Sequence, residues 1–216
     1  MKSAKNKAIE IFPEFDSLLK LIECEISGLS DIHLDYTSNN WNWSNWSIRN
    51  QLSHMASLIP RWLLIRWRGT IFIESIYDFP NIDNIANSPF DRRLNDEIYW
   101  EIDDILNILT QSIELVRSAL NNHTIEFIRQ NIIIEREVNS EWIIMAKAHP
   151  TGITITKNPL SSSINLEATF RHILYEEYTH LYNIQRLKKA QGLNAKSNIP
   201  FVGYWALDEW DRTEPY

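Results

Sequence analysis

The chain has 216 residues, 44% hydrophobic and 23% charged, which is the ordinary balance of a globular protein and enough for one domain over residues 1–216. Its formal charge is −7, from 28 acidic and 21 basic residues, so it lacks the basic field on which nucleic-acid binding depends. The strongest apolar run, Leu58 to Trp67, is interrupted by Pro60, Arg61 and Arg66 and falls short of the roughly 18 residues of a membrane span. The single cysteine, Cys24, and the absence of a signal-peptide pattern point to a reducing, cytoplasmic setting.

Taken in chain order, four segments place apolar residues at helical spacings of three and four. The first is expected from about Glu14 to Ser27, with Phe15, Leu18, Leu19, Ile22 and Ile26 as its stripe and Gly28 as its stop. The second begins after Ser47, whose hydroxyl suits an N-cap, and runs through Ile48, Leu52, Met55, Ile59, Trp62 and Leu63, with a kink at Pro60. A third opens near Asn95-Asp96 and steps through Ile98, Ile102, Ile105, Leu109, Ile113, Val116 and Leu120; its acidic start suits the helix dipole. Between the third and fourth, Glu141–Ala148 and Ile153–Thr156 around Pro150-Thr151-Gly152 read as a short β-hairpin. The fourth runs from about Asn165 to Gln191, ending at Gly192.

The stretch from Gly69 to Leu94 and the tail after Gly192 show no clear period. The tail residues Phe201, Tyr204, Trp205 and Trp210 imply that it packs against the body. The expected fold is all-α: a four-helix bundle with a long crossover before the last helix and a short hairpin insertion.

The fourth segment carries the chemistry. At about 100° per residue, Glu176 and His180 lie one turn apart and face the same way, His180 within the arc of Ile173, Ile184 and Leu187. An ionisable pair on a core-facing stripe needs partners. His54, flanking the apolar stripe of the second segment, can reach the pair if the two helices pack. Two imidazoles and a carboxylate bind zinc or iron with positions left for water or substrate. The alternative is a structural salt bridge between Glu176 and His180, or pairing of Glu176 with His172 one turn earlier. His172 and His180, two turns or roughly 11–12 Å apart along the axis, do not suit one ion. His33, His123 and His149 fall in expected loops and read as surface residues. Cys24 sits between Glu23 and Glu25, a poor setting for a reactive thiol.

Two stretches carry a family resemblance. Trp46-Ser47-Ile48-Arg49-Asn50-Gln51-Leu52-Ser53-His54-Met55 resembles the start of the second helix of the DinB/YfiT-like superfamily. Glu176-Glu177-Tyr178-Thr179-His180, followed by Ile184 and Arg186-Leu187-Lys188, resembles its last helix. The resemblance extends to the order of all four helices, while the specific motifs occupy only these two stretches. It implies a metal held by His54, Glu176 and His180, with Glu176 standing where the family usually has histidine. It further implies a divalent ion (zinc, nickel or iron), a low-molecular-weight thiol as co-substrate, a small-molecule substrate and a homodimer. The activity implied is thiol S-transfer or hydrolysis. The competing expectation is a non-catalytic bundle that binds a small ligand or protein partner and carries a degenerate metal site.

Overall fold

The computed structural model describes residues 6–72, 79–90, 92–135, 138–157 and 160–215. Its helices are α1 (Leu18–Ile26), α2 (Asp31–Leu34), α3 (Ile48–Pro60), α4 (Arg68–Ile71), α5 (Ile82–Ala86), α6 (Ile102–Asn122), α7 (Ile125–Gln130), α8 (Ser140–Ala148) and α9 (Leu166–Ala190). The strands are β1 (Ile132–Glu135), β2 (Ile153–Lys157) and β3 (Leu160–Asn165). The protein is mostly helical, with one small antiparallel sheet in the order β1-β3-β2. In that sheet Ile133 and Ile153 both register with the fully buried Ile164 of β3.

Helix α3 is the centre of the molecule. Every residue from Ile48 to Pro60 is buried except Asn50, and the helix packs against both α6 and α9. Its start is set by Ser47, whose hydroxyl accepts from the Asn50 N–H at 3.2 Å, as expected of a capping serine. Pro60 does more than kink the helix. Lacking an N–H, it leaves the Ala56 carbonyl to the Ser112 hydroxyl at 3.1 Å, and Arg61–Arg66 continue as a π-turn closed by Trp67 N–H to the Trp62 carbonyl at 3.1 Å. The wider turn brings Arg61, Trp62 and Arg66 onto the wall of one cavity.

Helix α9 follows its expected bounds closely. The Asn165 side chain accepts from the Ala168 N–H at 2.8 Å, and Gly192 takes the left-handed conformation (φ 75°) that ends the helix.

Three expectations are corrected. The stretch Glu141–Ala148 is helix, not strand: the Asn139 side chain caps it by accepting from the Trp142 N–H at 3.1 Å, and Trp142 and Met145, three apart, bury one face. The strand pairing with Ile153–Lys157 is β3, which also pairs with β1, so the expected hairpin is replaced by a small three-stranded sheet within a mostly helical fold. Helix α6 starts at Ile102 rather than near Asn95: the Asn95 carbonyl accepts from the Ile98 and Tyr99 N–H groups at 3.0 and 2.8 Å in a separate turn, and Ile98 is left outside the helix and exposed. Within Gly69–Leu94 two short helices form, α4 (from Arg68) and α5; residues 73–78 and 91 lie outside the described residues.

The tail packs, as its aromatic residues imply, though Phe201 is exposed. Buried Arg186 donates to the Asp211 and Thr213 carbonyls at 2.9 and 3.2 Å and lies over the Trp43 ring at 4.4 Å. Gly203 has φ 125°, and a side chain there would meet Trp205, Thr179 and the Tyr175 carbonyl within 3.0 Å. That close approach lets the Tyr204 N–H reach the Thr179 hydroxyl at 2.9 Å and delivers the Tyr204 ring to the cavity.

Candidate metal centre

Packing of α3 against α9 brings together the three residues singled out from the sequence. The Glu176 Oε2 lies 3.3 Å from His180 Nε2 and 3.5 Å from His54 Nε2. The ligand atoms of all three residues fall within 4.8 Å of one another, close enough to hold a metal ion. A tetrahedral ion with bonds of about 2.0–2.1 Å needs ligands about 3.3–3.4 Å apart, and two edges of the trio, at 3.3 and 3.5 Å, are close to that length. His54 and His180 are buried, while Glu176 keeps 22% of its side chain accessible, toward a cavity of about 450 Å³.

The far side of each imidazole decides which nitrogen carries the proton. His54 Nδ1 lies 3.0 Å from the Arg92 carbonyl, which only accepts, so Nδ1 must be the N–H. His180 Nδ1 likewise donates to the Gln51 Oε1. With Nδ1 as the donor, the neutral form of each ring turns an unprotonated Nε2 toward Glu176. Oriented imidazoles whose outer nitrogen donates to a carbonyl or amide oxygen are the usual support of histidine metal ligands.

Electrostatics sharpen the point. Burial, and then the neighbouring His54, push the His180 imidazole down to about 4, so it is neutral at neutral pH. Burial raises the Glu176 carboxyl, but its contacts with His180 and His54 outweigh that and hold it well below the usual carboxylate range. The ionised carboxylate thus lies 3.3–3.5 Å from both Nε2 atoms, where a cation shared by the three groups would be ligated.

No protein-family model, no curated protein and no solved structure matches this chain. The chemistry of the centre therefore rests on its own residues.

Several of those were not foreseen. Gln51, one turn before His54, orients His180. Ser57 donates to the same Arg92 carbonyl at 2.6 Å, and Ser53 accepts from the Leu94 N–H at 3.0 Å, so three residues of α3 pin the 92–94 segment over the centre. Arg92 adopts a left-handed φ of 53°, uncommon for a residue with a side chain, and it is this residue's carbonyl that holds His54. No sequence pattern marks Gln51, Ser53 and Ser57: these polar residues are buried on sides of α3 that its apolar stripe does not include.

The remaining histidines divide. His172 does not pair directly with Glu176: its Nδ1 lies 2.7 Å from the Tyr204 hydroxyl. His149, expected at the surface, is 4% exposed, with Nε2 at 3.3 Å from the same hydroxyl. Its position at the C-cap of α8, which the hairpin reading concealed, carries it inward. Burial lowers His149 to about 3 and His172 to about 4, and it raises the Tyr204 phenol. His33 and His123 are partly buried, and His123 Nε2 lies 3.3 Å from the Ile71 carbonyl. Glu177, adjacent to Glu176, is fully buried with no hydrogen bond to either carboxyl oxygen among the described residues; burial, then the charge of Glu176, push it well above the usual range, toward its neutral form.

Proposed function

We propose that the chain is a metal-dependent enzyme of the DinB/YfiT-like kind, in which His54, Glu176 and His180 hold a divalent ion beside a small-molecule cavity. The observation that carries this reading is the commitment of both Nδ1 atoms to acceptor oxygens, leaving both Nε2 lone pairs on one carboxylate. Two histidines and a glutamate suit zinc, and the same set serves iron(II); nickel is the third candidate. The order of α1, α3, α6 and α9, and the packing of α3 between α6 and α9, support reading these four as the helices of a DinB-like bundle. On this reading β1–β3 and α8 form the crossover before the last helix.

The activity proposed is transfer of a low-molecular-weight thiol to, or hydrolysis of, a small molecule. A bound ion would lower the pKa of a thiol or water and supply a nucleophile at neutral pH. The chain's own residues do the rest. Gln51 and the Arg92 carbonyl fix the imidazoles, Glu176 supplies negative charge, and the cavity receives the substrate. Cys24 is exposed on α1 and does not line the cavity, so the thiol would come from solution. A cytoplasmic homodimer is part of the same proposal. No described helix is long and apolar enough to cross a membrane.

The test is metal analysis of protein purified without a histidine tag. Stoichiometric zinc, nickel or iron that disappears in the His54→Ala/His180→Ala chain is the expected result. Failure to hold any of the three, with the double variant as stable as the parent, would leave only a ligand-binding helical protein.

A further inference from the structure

The cavity beside the trio is chemically divided. Along one side runs α9, with His172, Glu176 and His180 at successive turns. The other walls carry indoles from four different places in the chain: Trp46 before α3, Trp62 on the π-turn, Trp142 on α8 and Trp210 in the tail. Four of the chain's nine tryptophans meeting at one cavity is a concentration that core packing alone does not call for. Trp62 stands edge-on to the His172 ring at 5.0 Å and to Trp142 at 6.5 Å. Trp46 lies parallel to the His180 ring at 6.0 Å.

His172 adds a polar contact on the α9 side. Its Nδ1 is held by the Tyr204 hydroxyl, which His149 backs from the other side. No hydrogen bond among the described residues engages its Nε2, and the ring lines the cavity. A buried imidazole anchored at one nitrogen and open at the other is a positioned contact for something that enters from the cavity.

We infer that the cavity takes a planar aromatic molecule with one hydrogen-bonding head group, its ring among the indoles and its head group on His172 Nε2. Indoles favour rings through offset and edge-to-face contact, and a volume of about 450 Å³ falls in the small-molecule range of about 300–1,000 Å³. The inference rests on the proposed function only in making this molecule the substrate, with its head group turned toward the trio. The binding site itself stands on the indoles and His172.

The test is calorimetric titration of the full chain with 4-nitrophenol and nitrobenzene, which differ by the hydroxyl. Both are expected to bind saturably and quench tryptophan fluorescence, with 4-nitrophenol about tenfold tighter. His172→Asn keeps an amide nitrogen where Nδ1 stands but withdraws the cavity nitrogen, so that preference should fall to about twofold. His172→Gln, with its amide near the Nε2 position, should restore most of it. Trp142→Leu should weaken both probes alike, and unchanged affinity there overturns the indole wall whatever His172→Asn does to folding. No saturable binding, equal affinity for the two probes, or an unaltered preference in His172→Asn overturns the inference. Zinc content of the same preparation reports separately on the trio: phenol preference without metal removes the enzymatic reading alone, and metal without phenol preference removes this inference alone.

Discussion

Helix α9 carries two buried charged clusters that differ in how completely their groups are satisfied. Near its C-terminal end Lys188 pairs with Glu25 of α1, and the same carboxylate accepts from Gln185 at 2.9 Å, from the Lys196 N–H at 3.1 Å, and from the Ser197 N–H and hydroxyl at 2.8 and 2.6 Å. Burial works against the Glu25 charge, yet these donors outweigh it and lower the carboxyl to about 2. About three turns earlier, Glu176 faces the Nε2 atoms of two imidazoles whose Nδ1 protons are directed elsewhere. The first cluster is closed and fastens the tail to the body. The groups of the second are close enough to hold a cation, which the proposed function places there. Buried charge by itself therefore does not mark a functional site; an unfilled set of donors and acceptors does.

The largest effect that tests this contrast is at the closed cluster. Lys188→Met strands the Glu25 carboxylate and should destabilise the chain by about 3–5 kcal/mol in urea unfolding, whereas Glu25→Leu/Lys188→Met together should recover most of the loss. Zinc affinity should be untouched by either. A smaller effect belongs to the open cluster. Gln51→Ala frees the His180 ring and should weaken zinc binding about 10–100-fold with little change in the apo-protein's unfolding midpoint. If Gln51→Ala leaves zinc affinity alone, the orientation assigned to His180 is wrong.

Counted per histidine and per pH unit, the smallest effect is in pH. His149 and His172 titrate near 6.5 when exposed, and burial lowers them to about 3 and about 4. Between those values the unfolded chain binds protons that the folded chain refuses. Stability should therefore be complete above pH 6.5 and fall as pH drops toward 4, by at most about 1.4 kcal/mol per pH unit for each histidine. His149→Phe should flatten this slope, and an unchanged slope would remove His149 from the account.

Much of this was legible because it depends on local order. The caps of α3 and α9 and the one-turn spacing of Glu176 and His180 are short-range patterns, and they stand where expected. The reach of His54 to that pair followed once two amphipathic helices were packed together. What stayed hidden depends on tertiary partners. The 140–148 segment alternates like a strand until the Asn139 cap is recognised, and Ser161–Ser163 carry no apolar pattern because β3 is held by its neighbours on both sides. Gln51, Ser53 and Ser57 look like ordinary polar residues, and their roles exist only because the 92–94 segment folds over α3.

The central claim is that α9 and α3 build a metal centre from two imidazoles and one carboxylate, and zinc K-edge absorption spectroscopy of the zinc-loaded chain tests it most directly. The account predicts light-atom ligands at about 2.0–2.1 Å with outer-shell scattering from two imidazoles, reduced to one in His54→Ala. Zinc held without imidazole scattering, or a spectrum unchanged by His54→Ala, would contradict it.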